Sequence, residues 1–81
     1  MLRSRLLSRP RDFTASELAT LLAFWGYREE LDEHTPRTQI VFYHPESRHV
    51  VRLSRPRPGD TLKRYQLDQV IDELTERGLL L

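Results

Sequence analysis

The chain has 81 residues, of which 38% are hydrophobic and 31% charged, with no cysteine and a formal net charge of +1. That length suits one domain and excludes two, and the composition excludes a disordered chain. The missing thiols exclude disulfides and thiolate metal sites and fit a cytoplasmic setting. No apolar run approaches the roughly 18 residues that a membrane span needs, and Met1 to Leu7 is basic without an apolar stretch long enough for a secretion signal.

The small net charge hides strong segregation. Arg3, Arg5, Arg9 and Arg11 open the chain without an acid. Glu29, Glu30, Asp32 and Glu33 follow in a short acidic run beside Arg28. Arg48, Arg52, Arg55, Arg57, Lys63 and Arg64 then stand against Asp60 alone, before Asp68, Asp72, Glu73 and Glu76 turn the end acidic again. A basic band between acidic ones is a phosphate-binding footprint, or else a solvated surface of mixed sign.

Residues 1–9 suggest a short N-terminal helix stopped before Pro10. The next helix, over 14–25, is signalled most strongly. Thr14 is its N-cap, Glu17 completes a capping box, and Phe13 with Leu18 makes the hydrophobic staple. Leu18, Leu21, Leu22 and Trp25 recur on one face, and Gly26 is a natural C-cap. Trp25 and Phe42 are expected in the core.

Three strands are expected within 27–53: a weak one from Tyr27 to Leu31, then Thr38 to His44 and His49 to Leu53 around the turn Pro45-Glu46-Ser47-Arg48. A four-residue loop sets Phe42 opposite Val51 and Ile40 opposite Leu53 on an apolar face that should meet the helices. The other face carries Tyr43 opposite Val50, Val41 opposite Arg52 and Gln39 opposite Ser54. Residues 54–60, with alternating prolines and arginines, form a stiff loop. The last helix lies within 61–77, with Leu67, Val70, Ile71 and Leu74 as its stripe and Gly78 as its stop. The expected architecture is a single α+β domain over 1–81, ordered α(α)βββα, with a three-stranded antiparallel sheet and helices on one face.

Three blocks carry a family resemblance. The first is Pro10-Arg11-Asp12-Phe13-Thr14 with Glu17-Leu18, Leu21-Leu22 and Gly26-Tyr27. The second is Phe42-Tyr43-His44-Pro45-Glu46 followed by Val51-Arg52-Leu53. The third is Arg55-Pro56, Pro58-Gly59-Asp60 and Leu62-Lys63-Arg64-Tyr65-Gln66-Leu67. In order and spacing the chain resembles HicA toxins from about Leu6 to Leu80. The resemblance implies a double-stranded-RNA-binding-like fold and an mRNA interferase that cleaves without metal or other cofactor. It also implies a HicB-like antitoxin partner covering the active surface. Many members use a catalytic histidine in a Gly-Ser-His motif; the aligned triplet here is Arg37-Thr38-Gln39, so Gln39 takes that position. A related branch reads His-Arg-Pro-His-Pro before the last helix, where this chain has Ser54-Arg55-Pro56-Arg57-Pro58.

Metal-free RNA cleavage needs a base for the 2′-OH, an acid for the leaving oxygen and cations for the added charge. Gln39 does not titrate, but it can orient a phosphate or ribose. His44 is the remaining acid–base candidate beside a structural role in the turn, and His49 is expected at the surface next to that turn. Two facing histidines without a third ligand make a poor metal site. His34 is expected in a solvated loop. Arg52, Arg55, Arg57, Lys63 and Arg64 are expected to form one basic RNA-binding surface, with Tyr43 as a stacking residue on the outer sheet face. Two other readings remain: a HicA-like module that binds RNA or protein without cleaving, and a protein-binding adaptor using the sheet face and the acidic run.

Overall fold

In chain order the elements are α1 (Leu2–Leu7), α2 (Ala15–Phe24), β1 (Arg28–Glu29), β2 (Gln39–Tyr43), β3 (Val50–Ser54) and α3 (Arg64–Glu76). They come from a computed structural model that describes residues 2–31, 34–56 and 59–80. Six residues are too few for α1 to hold by itself. It holds by docking: Leu6 is fully buried, Arg5 pairs with Glu17 at 2.5 Å and Asp12 at 3.1 Å, and Arg9 reaches Asp68 of α3 at 2.6 Å.

The N-terminus of α2 forms as its residues dictate. The Glu17 N–H donates to Thr14 Oγ1 at 3.0 Å, and the Thr14 N–H donates back to Glu17 Oε1 at 3.1 Å. Phe13 and Leu18, the staple pair, are both fully buried. A distant residue completes the cap: the Ala15 N–H donates to the Asp60 carbonyl, and Ser16 donates to the Asp60 carboxylate from both its N–H and its hydroxyl. The segment before α3 is thereby tied to the start of α2, with Thr14 bridged to Thr61. The helix ends at Gly26, whose φ of +92° suits glycine, and a Cβ there would stand 3.1 Å from His44 Nε2. The backbone conformation thus favours glycine at this position, and any larger residue would press on the His44 ring.

The sheet order is β1-β2-β3, antiparallel throughout. The β2–β3 register is the expected one, with Gln39, Ile40, Val41, Phe42 and Tyr43 opposite Ser54, Leu53, Arg52, Val51 and Val50. Ile40, Phe42, Val51 and Leu53 join Leu6, Phe13, Leu18, Leu22, Leu67, Val70 and Leu74 in one core, so the helices cover one face. Strand β1 is shorter than expected. Arg28 and Glu29 pair with Tyr43 and Phe42, while Tyr27 turns into the core at 4% exposure. Trp25 packs only partly against the core. Of the expected 61–77 helix, the first residues are spent on the backbone tie of Thr61 and Leu62 to Thr14 and Phe13, and α3 starts at Arg64. Gln66, 2% exposed, anchors that start: its amide donates to the Ser54 carbonyl at 2.8 Å and its oxygen accepts from the Lys63 N–H at 3.0 Å. No described helix is long and apolar enough to cross a membrane.

Candidate nucleic-acid interface

The turn puts His44 and His49 at the end of the sheet, on the same face as Phe42 and Val51. The loop has four residues, and its last, Arg48, adopts φ +62° to close it. The Ser47 N–H donates to His44 Nδ1 at 3.1 Å, so His44 carries its proton on Nε2, which faces the Trp25 carbonyl at 3.1 Å. Both ring nitrogens therefore serve the fold.

His49 is not the surface residue expected. Its side chain is 11% exposed, with Nε2 3.1 Å from Glu73 Oε1 and Nδ1 2.6 Å from the Tyr27 hydroxyl. A carboxylate only accepts, so in the neutral ring Nε2 holds the proton and Nδ1 accepts from Tyr27. The Tyr27 ring stands edge-on to His44 at 5.1 Å and to His49 at 5.7 Å. Burial raises the Tyr27 phenol pKa; Arg77 opposes the shift and Glu73 adds to it. A carboxylate, an imidazole and a hydroxyl in series have the order of a catalytic relay, but the residue at its end, Tyr27, is buried in the core. Period-two alternation carried the signal for this cluster, since residues paired in register with the apolar rows must also point inward.

The other end of the sheet holds Gln39, half-buried and opposite Ser54. No imidazole stands there. Arg55 is held at the same end: its N–H donates to the Thr38 carbonyl and its Nε to the Arg37 carbonyl at 2.9 Å. Arg57 lies outside the described residues.

The described members of the expected basic surface line three separate clefts. Arg52 shares one with Tyr43, Val41, Val50, Glu30, His34, Thr35 and Pro36. Arg55 lines a second, with Ser16, Glu29 and Asp60 among its walls. Lys63 and Arg64 line a third, of about 430 Å³, together with Arg9, Pro10, Arg11, Thr61 and Leu62. Its lining contains no acidic side chain, and the first turn of α3 has none either. Arg9 is engaged with Asp68, whereas Arg11, Lys63 and Arg64 make no ion pair among the described residues. The contribution of Arg9 and Arg11 was not visible in the spacing, because it depends on how the end of α1 docks beside α3.

The outer sheet face is also less open than the strand pattern suggests. Val41 is 5% exposed there, at a cleft it shares with Glu30 and residues 34–36. Among the described residues, no group of three or more His, Cys, Asp or Glu is arranged to hold a metal ion. Comparison of the chain with family models, with curated proteins and with solved structures gives no match.

Proposed function

We propose that this chain is an RNA-binding domain of the HicA kind, a toxin component by descent, working in the cytoplasm under the cover of a HicB-like antitoxin. The observation that carries the reading is the cleft between residues 9–11 and the start of α3, where Arg11, Lys63 and Arg64 meet without an acid in the lining. Free cations there, beside the positive end of a helix, suit the phosphates of a polyanion. A double-stranded-RNA-binding-like role for the fold agrees with this, since such domains read shape and backbone.

Binding is better supported than cleavage. Gln39 cannot exchange a proton, and the nitrogens of His44 and His49 are engaged by Trp25, Ser47, Tyr27 and Glu73. The reading therefore keeps the RNA surface of the resemblance and gives up its metal-free chemistry.

Binding of a structured RNA should be measured across a salt series in EDTA, and the RNA recovered afterwards. The expected result is intact RNA and an affinity that falls steeply with salt. Replacing Lys63 and Arg64 together by Ala should flatten the log–log slope by about 2, one for each phosphate that is no longer neutralised. An unchanged slope would remove the cleft from the reading. Site-specific cleavage in EDTA would replace it with the catalytic one.

A further inference from the structure

A second cleft, on the outer face of the sheet, differs in character from the cationic one. Its volume is about 330 Å³, at the small end for ligand pockets and on the scale of a single heterocycle. The floor is apolar, made by Val41 and Val50, while Tyr43, Arg52, Glu30 and His34 supply the ring, the cation and the polar rim. Residues 34–36 form the opposite wall. From the geometry we infer that this cleft takes one unpaired nucleobase of a bound RNA, stacked against Tyr43 and Arg52. This rests on the RNA-binding reading above and names a subsite separate from the phosphate cleft.

Register supports the stacking. Val41 pairs with Arg52 and Tyr43 with Val50, so Tyr43 and Arg52 are diagonal neighbours on one face. Such neighbours stand roughly 7–8 Å apart, about twice an aromatic stacking distance. A flat base between a phenol ring and a guanidinium fills that gap with π contact on both sides. Neither Tyr43 nor Arg52 has a side-chain hydrogen bond or ion pair among the described residues, so stacking on these two side chains breaks none of theirs. The apolar floor matters as well: Val50 is 38% exposed, and a base, unlike a phosphate, gains by leaving water for such a surface. A duplex offers no free base, so this cleft selects single-stranded or bulged segments, whereas the cationic cleft is indifferent to pairing.

The test compares two single-stranded RNA oligonucleotides of equal length and charge, one with bases and one abasic at successive central positions, by fluorescence anisotropy at a fixed low salt. The base-bearing strand should bind about tenfold or more tightly. Tyr43→Ala should abolish most of that difference, Tyr43→Phe should keep it because the ring remains, and Arg52→Gln should reduce it. Equal affinity for the two strands, or a difference that survives Tyr43→Ala, overturns the base pocket while leaving RNA binding in place. Absence of salt-dependent binding to either strand overturns the RNA reading and the pocket together.

Discussion

The two ends of the sheet contain opposite chemistry. At the turn end, His44, His49, Tyr27 and Glu73 gather four polar side chains that satisfy one another or nearby backbone. At the loop end, Gln39 and Arg55 lie where β2 starts and β3 finishes, and Lys63 and Arg64 stand in a cleft of their own at the start of α3, with amide and cationic groups. The imidazoles of the turn end are thus engaged within the fold, and the cations at the start of α3 share their cleft with no imidazole. A constellation of His, Tyr and Glu counts as a catalytic site only when its last group is open, and here the alternative use, closing the core against the turn, is the one the burial supports.

If the turn end is structural, damage there should appear in stability and not in RNA affinity. The largest effect is expected from His49→Ala, which strands the enclosed Tyr27 hydroxyl and removes one of the two partners of Glu73, leaving Gln69. Urea unfolding should show a loss of about 2–3 kcal/mol, with an unchanged slope on denaturant. RNA affinity at a temperature where the variant is folded should match that of the parent. A variant of full stability and reduced RNA affinity would reverse the assignment of the two ends.

Gly26→Ala should follow, at about 1–2 kcal/mol, because it meets both a left-handed backbone and His44 Nε2 at 3.1 Å. Gly59 at the loop end has φ +81°, and a Cβ there would find nothing within 4 Å, so Gly59→Ala isolates the backbone cost. Melting temperatures of the two variants should differ, with the Gly26 variant lower; equal values would mean that the approach to His44 is easily relieved.

The smallest effect concerns acid. At the loop end, hydrogen bonding from Arg5 first, opposed by desolvation and aided by the Thr14 N–H, holds the Glu17 carboxyl at about 2, below its ordinary 4.5. A depressed carboxyl contributes stability above its unfolded value and loses it as pH falls through the folded one. The contribution is therefore full above about 4.5 and fades toward about 2. The difference in melting temperature between the parent and Glu17→Gln should shrink across that window and be flat between pH 6 and 8. A difference independent of pH would assign the effect to the capping box rather than to charge.

Much of this molecule can be read along the chain. Thr14, Glu17 and Phe13 announce α2 because a cap is made by residues within one turn of each other. The apolar stripes of α2 and α3, and the pairing of Gln39–Tyr43 with Val50–Ser54, follow from periods of 3.6 and 2 and from a four-residue loop, all rules among near neighbours. Even the inward direction of His44 and His49 is contained in the alternation, although their polar character disguises it.

Tertiary structure decided the partners and the clefts. His49 meets both Tyr27 and Glu73 because the exit of α2, the residue before β3 and the second half of α3 converge at one corner of the core, and no local rule sets that convergence. Arg11 joins Lys63 and Arg64 because the segment after α1 runs beside the start of α3, and Arg52 is parted from them by lying on the other side of the sheet. The physical reason is the same in each case. Propensity, capping and alternation act over a few residues, whereas side-chain meetings across the chain depend on how the finished elements dock to bury their apolar faces.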